Sequence, residues 1–372
     1  MKIALISCGR SDFSIYLPLI KRLKKDSFFN LEIIVFGTHV SSFFGNTFKL
    51  FEKEGFKVAH KIESLVLGDS AESIASAMGL TMIKFASLWN SNSYDLIIVL
   101  GDRYEMFSAI SASVPFNIPV AHLHGGETTL GAIDDKFRHC LSSLSDIHFT
   151  STEGHKSRVT EIIGTSRHVY NVGAPALDNL SEIDLYTISE FKNIFNIDLS
   201  IPTILCTFHP ETVLLEKNHE YTLELISALE SVENFQIVIT MPNADTMGSH
   251  VRSLLQDFIR KNENICGVEN FGTRGYYSCM NYSSFLLGNT SSGIIEAASF
   301  GKYVINLGDR QKGRTQGDNI VNVEIKAAKI LEAIEALHLK PELDRKNIYG
   351  NGTASEKIVD YLKDYHLQRN SN

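Results

Sequence analysis

One pattern, met twice along the chain, constrains the fold more than any other feature. Short apolar runs, each ending in Gly, Asp, His or Asn, alternate with longer helix-periodic stretches. In the first half the runs are Lys2–Ser7, Leu31–Phe36, Asp95–Leu100, Pro119–Leu123, Ile147–Thr150 and His168–Val172. Such runs predict parallel strands buried on both faces, because helices cover the sheet from both sides and no polar alternation survives. Between two of them, Ser70–Asn90 sets Ile74, Ala77, Met78, Phe85 and Leu88 on one helical face, as packing on a sheet requires. Ser181–Ser200 holds no strand run and reads as a crossover. The pattern then restarts with Thr203–Phe208, Phe235–Thr240, Ser284–Leu287 and Tyr303–Leu307, separated by helical stretches such as Thr222–Leu229, Val251–Ile259 and Lys326–Leu337.

Two such arrays predict an α/β protein of two Rossmann-like, doubly wound domains, each turning the carboxyl ends of its strands toward a shared cleft. The expected boundaries are 1–180 for an N-terminal domain, 181–353 for a C-terminal domain, and 354–372 for a last helix and tail able to pack back on the first domain. Thr353-Ala-Ser-Glu356 has the form of a capping box, with Ile358, Val359 and Leu362 facing inward behind it.

Charge and cysteine usage narrow the class. Lys plus Arg is 35 against 43 for Asp plus Glu, and a net charge of -8 repels phosphate backbones, so no nucleic-acid partner is expected. The five cysteines are scattered singly, without zinc spacing, and read as buried thiols in a reducing cytoplasm. No apolar run approaches the roughly 18 residues of a membrane span. A cytoplasmic enzyme is the expectation.

The informative residues follow the strand runs. In Gly288-Asn-Thr-Ser-Ser-Gly293 a strand ends, small residues turn and a helix begins, so a phosphate could reach free N–H groups favoured by the helix dipole. Ser291, Ser292 and Gly293 lie in that turn, and Glu296 stands where it could reach ribose hydroxyls; a capped helix without ligand is the plain alternative. Cys8-Gly9-Arg10-Ser11-Asp12-Phe13 follows the first run without the G-x-G-x-x-G of a dinucleotide site. Gly101-Asp102-Arg103 places Asp102 at a strand tip and Arg103 at the start of a helix. Next come His122-Leu-His124-Gly-Gly-Glu127, then Asp134-Asp135 with Arg138-His139. The spacing of His122, His124 and Glu127 is weak for a metal, and none is expected. One of Asp134 and Asp135 is expected to serve as an N-cap. His209 closes the first run of the second domain and is expected to touch ligand. Gly308-Asp309-Arg310-Gln311-Lys312-Gly313-Arg314 puts three cations in five positions of an acidic protein, which suits a diphosphate clamp. An anion-binding wall opposite a wall of carboxylates and histidines suggests an activated sugar.

These residues resemble the UDP-N-acetylglucosamine 2-epimerases, on a two-domain GT-B-like fold, over nearly the whole chain and in consistent order. The most specific matches are Gly101-Asp102-Arg103, His124-Gly-Gly-Glu127, Asp134-Asp135 with Arg138-His139, His209-Pro210, Gly288-Asn289 with Ser291-Ser292-Gly293, and Gly308-Asp309-Arg310. Arg103 after Asp102, and Arg10-Ser-Asp-Phe13 after the first strand, match the hydrolysing branch, the bacterial enzymes that make N-acetylmannosamine for sialic acid. The non-hydrolysing branch typically has Thr after the Asp, and T-R-P-E in the first loop. The resemblance implies that UDP-N-acetylglucosamine and water give N-acetylmannosamine and UDP through 2-acetamidoglucal. It implies catalytic roles for Asp102, His124, Glu127, Asp134 and His209, and UDP contacts from Arg10, Arg103, His209, Ser291, Ser292, Gly293, Glu296, Arg310 and Arg314. Sugar contacts would come from Asp12, Asp135 and Arg138. No cofactor is implied, because fixed cations stabilise the leaving diphosphate; a homo-oligomer, dimer or tetramer, is. Many relatives carry glutamate where this chain has His124, so either His124 moves the proton or Glu127 supplies the carboxylate.

Other readings keep much of this chemistry. The same reaction on UDP-2,4-diacetamido-trideoxyhexose, on the way to legionaminic acid, would use the same residues, and a non-hydrolysing epimerase would return UDP-N-acetylmannosamine. A GT-B glycosyltransferase needs an acceptor groove that the carboxylate wall argues against. A nucleotide-sugar sensor leaves Asp102 and Asp134 without work.

Overall fold

The structure, a computed structural model, describes residues 1–68, 70–128, 130, 133–211, 215–241, 248–262, 264–338, 340–341 and 343–370. The chain divides into two compact units, Met1–Ser181 with Tyr349–Asn372, and Glu182–Ile348. Residues 349–353, assigned from sequence to the second domain, thus cluster with the first.

In the first unit the strands are β1 (Lys2–Ser7), β2 (Asn30–Phe36), β3 (Val58–Ile62), β4 (Leu96–Leu100), β5 (Val120–Leu123), β6 (Ile147–Thr150) and β7 (Val169–Asn171). They form one parallel sheet in the order β3-β2-β1-β4-β5-β6-β7. Alternate residues of β1 serve opposite cores: Ile3 and Leu5 join one apolar cluster, Ala4 and Ile6 the other, as expected of a strand covered on both faces. The second unit holds β8 (Thr203–Thr207), β9 (Gln236–Thr240), β10 (Ile265–Val268), β11 (Phe285–Gly288), β12 (Val304–Leu307) and β13 (Ile320–Val323), parallel in the order β10-β9-β8-β11-β12-β13. In each sheet the order reverses once, between β1 and β4 and between β8 and β11. Within each unit, the loops leaving the carboxyl ends of its two switch-point strands flank a position of the kind that binds ligands in doubly wound sheets. Gly9–Asp12 and Asp102–Arg103 sit at the first unit's switch point, His209 and Asn289–Gly293 at the second's.

The last helix, Ala354–Asn370, belongs to the first unit's core through Ile358, Val359 and Leu362. Its start departs from the capping box read in the sequence. The Thr353 hydroxyl donates to Asn351, while the amides of Ala354 and Ser355 donate to the Asp178 carboxylate at 2.9 and 2.6 Å. A carboxylate from elsewhere in the unit caps this helix and ties it down. The cysteines also depart from expectation: Cys8, Cys206 and Cys279 are buried, but Cys140 is exposed. Among the described residues no helix is long and apolar enough to cross a membrane.

Candidate active site

The first unit's site grows from the tips of β1, β4 and β5. After β1 the chain turns into the helix Arg10–Lys25, and the turn needs acceptors for its amides. Asp12 supplies one: its Oδ2 accepts from Cys8 N at 2.8 Å, Gly9 N at 3.1 Å and Ser7 Oγ at 3.2 Å, and the side chain is buried. Asp12, expected on the sugar, is therefore the brace of its own loop. Burial raises its pKa against the pull of Arg103 and these amides. Arg10 stands exposed at the first position of the helix. Arg103, after β4, is held by the buried Glu105, with Nε and Nη2 at 3.3 and 3.2 Å from its two oxygens. Glu105 carried no signal in the sequence beyond its place two residues on.

Arg138, buried on the helix Asp134–Ser143, organises the centre. Its Nη2 donates to Asp102 Oδ2, and its Nη1 donates to the His124 carbonyl at 2.9 Å. Expected to touch the sugar, it binds protein groups and orients Asp102. Asp134 opens the same helix, half-buried; burial first and the Asp102 carboxylate second raise its pKa, while Arg103 and Arg138 oppose the shift. The structure thus brings Asp102, Asp134 and the two arginines into one electrostatic neighbourhood, a common arrangement for shared proton transfer. Asp135, in the same first turn, is half-buried.

His124 lies just past β5 with φ +63°, a left-handed conformation uncommon for a residue with a side chain. Its Nδ1 is 2.5 Å from Glu127 Oε1, and its Nε2 is buried without a hydrogen-bond partner among the described residues. Gly126 makes the tight return between them possible: at its φ of +78° a Cβ would lie 2.3 Å from the His155 carbonyl oxygen. His122 has no place at the tip. Fully buried, it meets Gly101 O at 2.8 Å and Ser142 Oγ at 3.2 Å, and burial lowers its pKa to about 3. Ser151 and His155, which sequence reasoning missed, stand behind Glu127: Ser151 Oγ donates to Glu127 Oε1 at 2.8 Å and lies 2.9 Å from His155 Nδ1.

In the second unit, Asn289 ties the two switch-point loops together. Its side chain accepts from His209 N and donates to His209 O, both at 2.8 Å, and its own carbonyl accepts from Arg310 Nη1 at 3.0 Å and Gln311 Nε2 at 2.8 Å. His209 is presented half-buried on a pinned backbone, and Arg310, expected on the diphosphate, spends part of its guanidinium on this loop. Glu211 adds to the pinning by accepting from Arg310 N at 3.1 Å. Gly288 admits the close approach of β8, since a Cβ there would meet Thr207 O at 1.9 Å. Thr290 caps the short helix Ser291–Ile295, accepting from Ser292 N, and Ser292 Oγ meets Tyr276 OH at 2.8 Å. Gly293, expected on UDP, is buried: a Cβ there would press Val304 at 3.1 Å, so it serves helix–strand packing. Ser291 remains half-buried at the helix start. Tyr277 OH donates to Glu296 Oε1 at 3.1 Å, and burial raises the Glu296 pKa to about 7 against the hydrogen bonds of Tyr277 and Ser292. Beyond β12, Lys312 pairs with Asp309 at 3.3 Å, whereas the half-buried Arg314 side chain has no partner among the described residues. Of the three cations in that loop, Arg314 is the one left for an anion. Among the described residues no group of three His, Cys, Asp or Glu is arranged to hold a metal ion.

Comparison with known proteins identifies the family. A family model described as UDP-N-acetylglucosamine 2-epimerase covers residues 21–363. The GDP/UDP-N,N'-diacetylbacillosamine 2-epimerase (hydrolyzing) of Campylobacter jejuni is 34% identical over 325 residues, 87% of this chain and 84% of its own. The UDP-N,N'-diacetylbacillosamine 2-epimerase (hydrolyzing) of Legionella pneumophila is 32% identical over 364 residues, 97% of this chain and 95% of its own. The crystal structure of UDP-GlcNAc 2-epimerase from Neisseria meningitidis bound to UDP-GlcNAc shares the fold, with a TM-score of 0.81 at 21% identity over 98% of this chain and 100% of that one. The chain belongs to the UDP-N-acetylglucosamine 2-epimerase family.

Proposed function

We propose that this protein is a hydrolysing 2-epimerase whose substrate is UDP-N,N'-diacetylbacillosamine, a UDP-2,4-diacetamido-2,4,6-trideoxyhexose. The observation that carries the reading is that two relatives above 30% identity, each matched over most of its length, bear that activity in their names. This moves the preferred sugar from the UDP-N-acetylglucosamine expected from sequence to its 4-acetamido, 6-deoxy counterpart. The 2-acetamido group, and hence the chemistry, stays the same.

The hydrogen on C2 has no adjacent carbonyl to acidify it, so it leaves only as the C1–O bond to UDP breaks. Elimination yields UDP and a glycal; water then adds its oxygen to C1 and a proton to C2 from the face that inverts that carbon. The departing diphosphate needs preorganised donors, which Arg314 and the amides of the Thr290-capped turn supply, with Glu296 on the ribose. Proton transfer falls to Asp102, oriented by Arg138, to Asp134, whose raised pKa suits an acid, and to His124.

The test is turnover of three substrates in deuterated water: UDP-N,N'-diacetylbacillosamine, its GDP counterpart and UDP-N-acetylglucosamine. The expected result is free 2,4-diacetamido sugar of manno configuration, deuterated at C2, with kcat/KM at least about 100-fold above that for UDP-N-acetylglucosamine. Preference for UDP-N-acetylglucosamine would return the reading to N-acetylmannosamine synthesis. A product still carrying UDP would assign the non-hydrolysing reaction.

A further inference from the structure

Behind His124 runs a chain of buried polar groups, of which the reaction scheme uses His124 alone. It starts at His124 Nδ1, passes through Glu127 Oε1 and Ser151 Oγ, and reaches His155 Nδ1, with successive separations of 2.5, 2.8 and 2.9 Å. All four residues are buried. Proton bookkeeping fixes the direction of every link. An ionised carboxylate only accepts, so both His124 and Ser151 donate to Glu127. Ser151 has a single hydroxyl proton and spends it there, so it accepts from His155, which carries its proton on Nδ1. Burial lowers the His155 pKa to about 4, in keeping with a neutral ring. At the other end, His124 gives its Nδ1 proton to Glu127, and its Nε2 is buried with no partner among the described residues.

We infer that Ser151 and His155 are positioning residues for catalysis: through Glu127 they hold His124 in the tautomer whose Nε2 is a bare proton acceptor. Hydrogen bonds tie down the scaffold behind them. Thr152 caps the helix Glu153–Ile163 by accepting from His155 N at 3.2 Å, which fixes the His155 ring one turn from Arg158. Arg158 in turn donates to Gly126 O at 3.2 Å, so this helix grips the His124–Glu127 loop from behind. Other charged or titratable groups around His124 are Arg138 on its carbonyl, Asp102 beyond Arg138, and the neutral His122 on β5. Glu127 Oε2 lies 3.9 Å from Arg138 Nη1, so loss of the Ser151 donor shifts the carboxylate's contacts toward Arg138 and away from His124 Nδ1.

The kinetic part rests on the proposed reaction; the tautomer does not, and the test separates them. In ¹⁵N-histidine-labelled resting protein, long-range ¹H–¹⁵N spectra, assigned with His124→Gln, should show Nδ1 protonated and Nε2 bare for His124 at neutral pH. Ser151→Ala should give a mixture of tautomers and lower kcat about tenfold, with KM within about twofold, and Ser151→Thr should restore both. His155→Leu should repeat the loss, and His155→Asn, whose amide nitrogen stands near the Nδ1 position, should repeat the rescue. A His124 tautomer unmoved by Ser151→Ala and by His155→Leu would overturn the inference even if no substrate is turned over. So would a kcat loss that Ser151→Thr and His155→Asn both fail to recover.

Discussion

Glu296 carries a proton more tightly in the folded protein than an ordinary glutamate does, because burial raises its pKa from 4.5 to about 7. The unfolded chain releases that proton first, so the folded state loses stability as pH climbs from the lower value through the upper one. Glu296→Gln removes this cost. It should stabilise the protein by roughly 1–3 kcal/mol at pH 8 and far less at pH 5, as read by thermal melting; equal gains at both values would exclude ionisation as the cause. UDP affinity should fall in the same variant, since an amide offers the ribose diol one acceptor in place of two. Asp102→Asn tests the first unit: with the new amide's carbonyl still open to Arg138, kcat should drop by about 10²–10⁴ while UDP affinity stays within about twofold, measured by turnover and calorimetry. A parallel loss of both would remove Asp102 from the chemistry. At this scale the sequence reveals which residues reach strand tips, because a doubly wound sheet gathers those loops at one edge. It does not reveal which way each side chain turns. Asp12, Gly293 and Arg310 face their own loops because turn amides, a neighbouring strand and a loop carbonyl claim them. Ser151 and Glu127 are 24 residues apart and meet only because β5 and β6 are neighbours.

Strands covered on both faces were legible from their unbroken apolar runs, as was the edge strand β7, but the edge strands β3, β10 and β13 were not. β3 alternates half-buried with exposed residues and carries His60 and Lys61, while β13 keeps only four residues, none fully buried. Charged, short edges blunt pairing with other chains and erase the apolar signal at once. The strand order, which creates the switch points, is likewise invisible in a list of runs, though it decides that the β8 and β11 loops lie side by side. Asn289 exploits that adjacency. Asn289→Ala leaves the His209 amide and carbonyl without these partners in a buried setting, at a cost of about 1–3 kcal/mol. The expected signature is a lower melting temperature together with a raised KM for the nucleotide sugar. A lowered melting temperature with unchanged KM would mean that the loop bond serves stability alone.

The first unit is built from both ends of the chain, and the second from the uninterrupted middle. Ile358, Val359 and Leu362 bury about 1.5–3 kcal/mol of apolar side chain each, so together they contribute on the order of 5–9 kcal/mol to the first core. That sum rivals the roughly 5–15 kcal/mol that separates a folded domain from its unfolded state. Ending the chain at 348 should therefore unfold the first unit, and would also strip the Asp178 carboxylate of the two amides it caps. The second unit keeps its own apolar cluster, spanning Ile204 to Leu337, and should still melt cooperatively. Because Ser291, Glu296 and Arg314 all lie within it, UDP should raise that surviving transition, as any ligand raises the stability of the state it binds. Calorimetry of the truncated chain with and without UDP reads both effects. If UDP left the surviving transition unmoved, the nucleotide would depend on the first unit, and its assignment to residues 288–314 would fall.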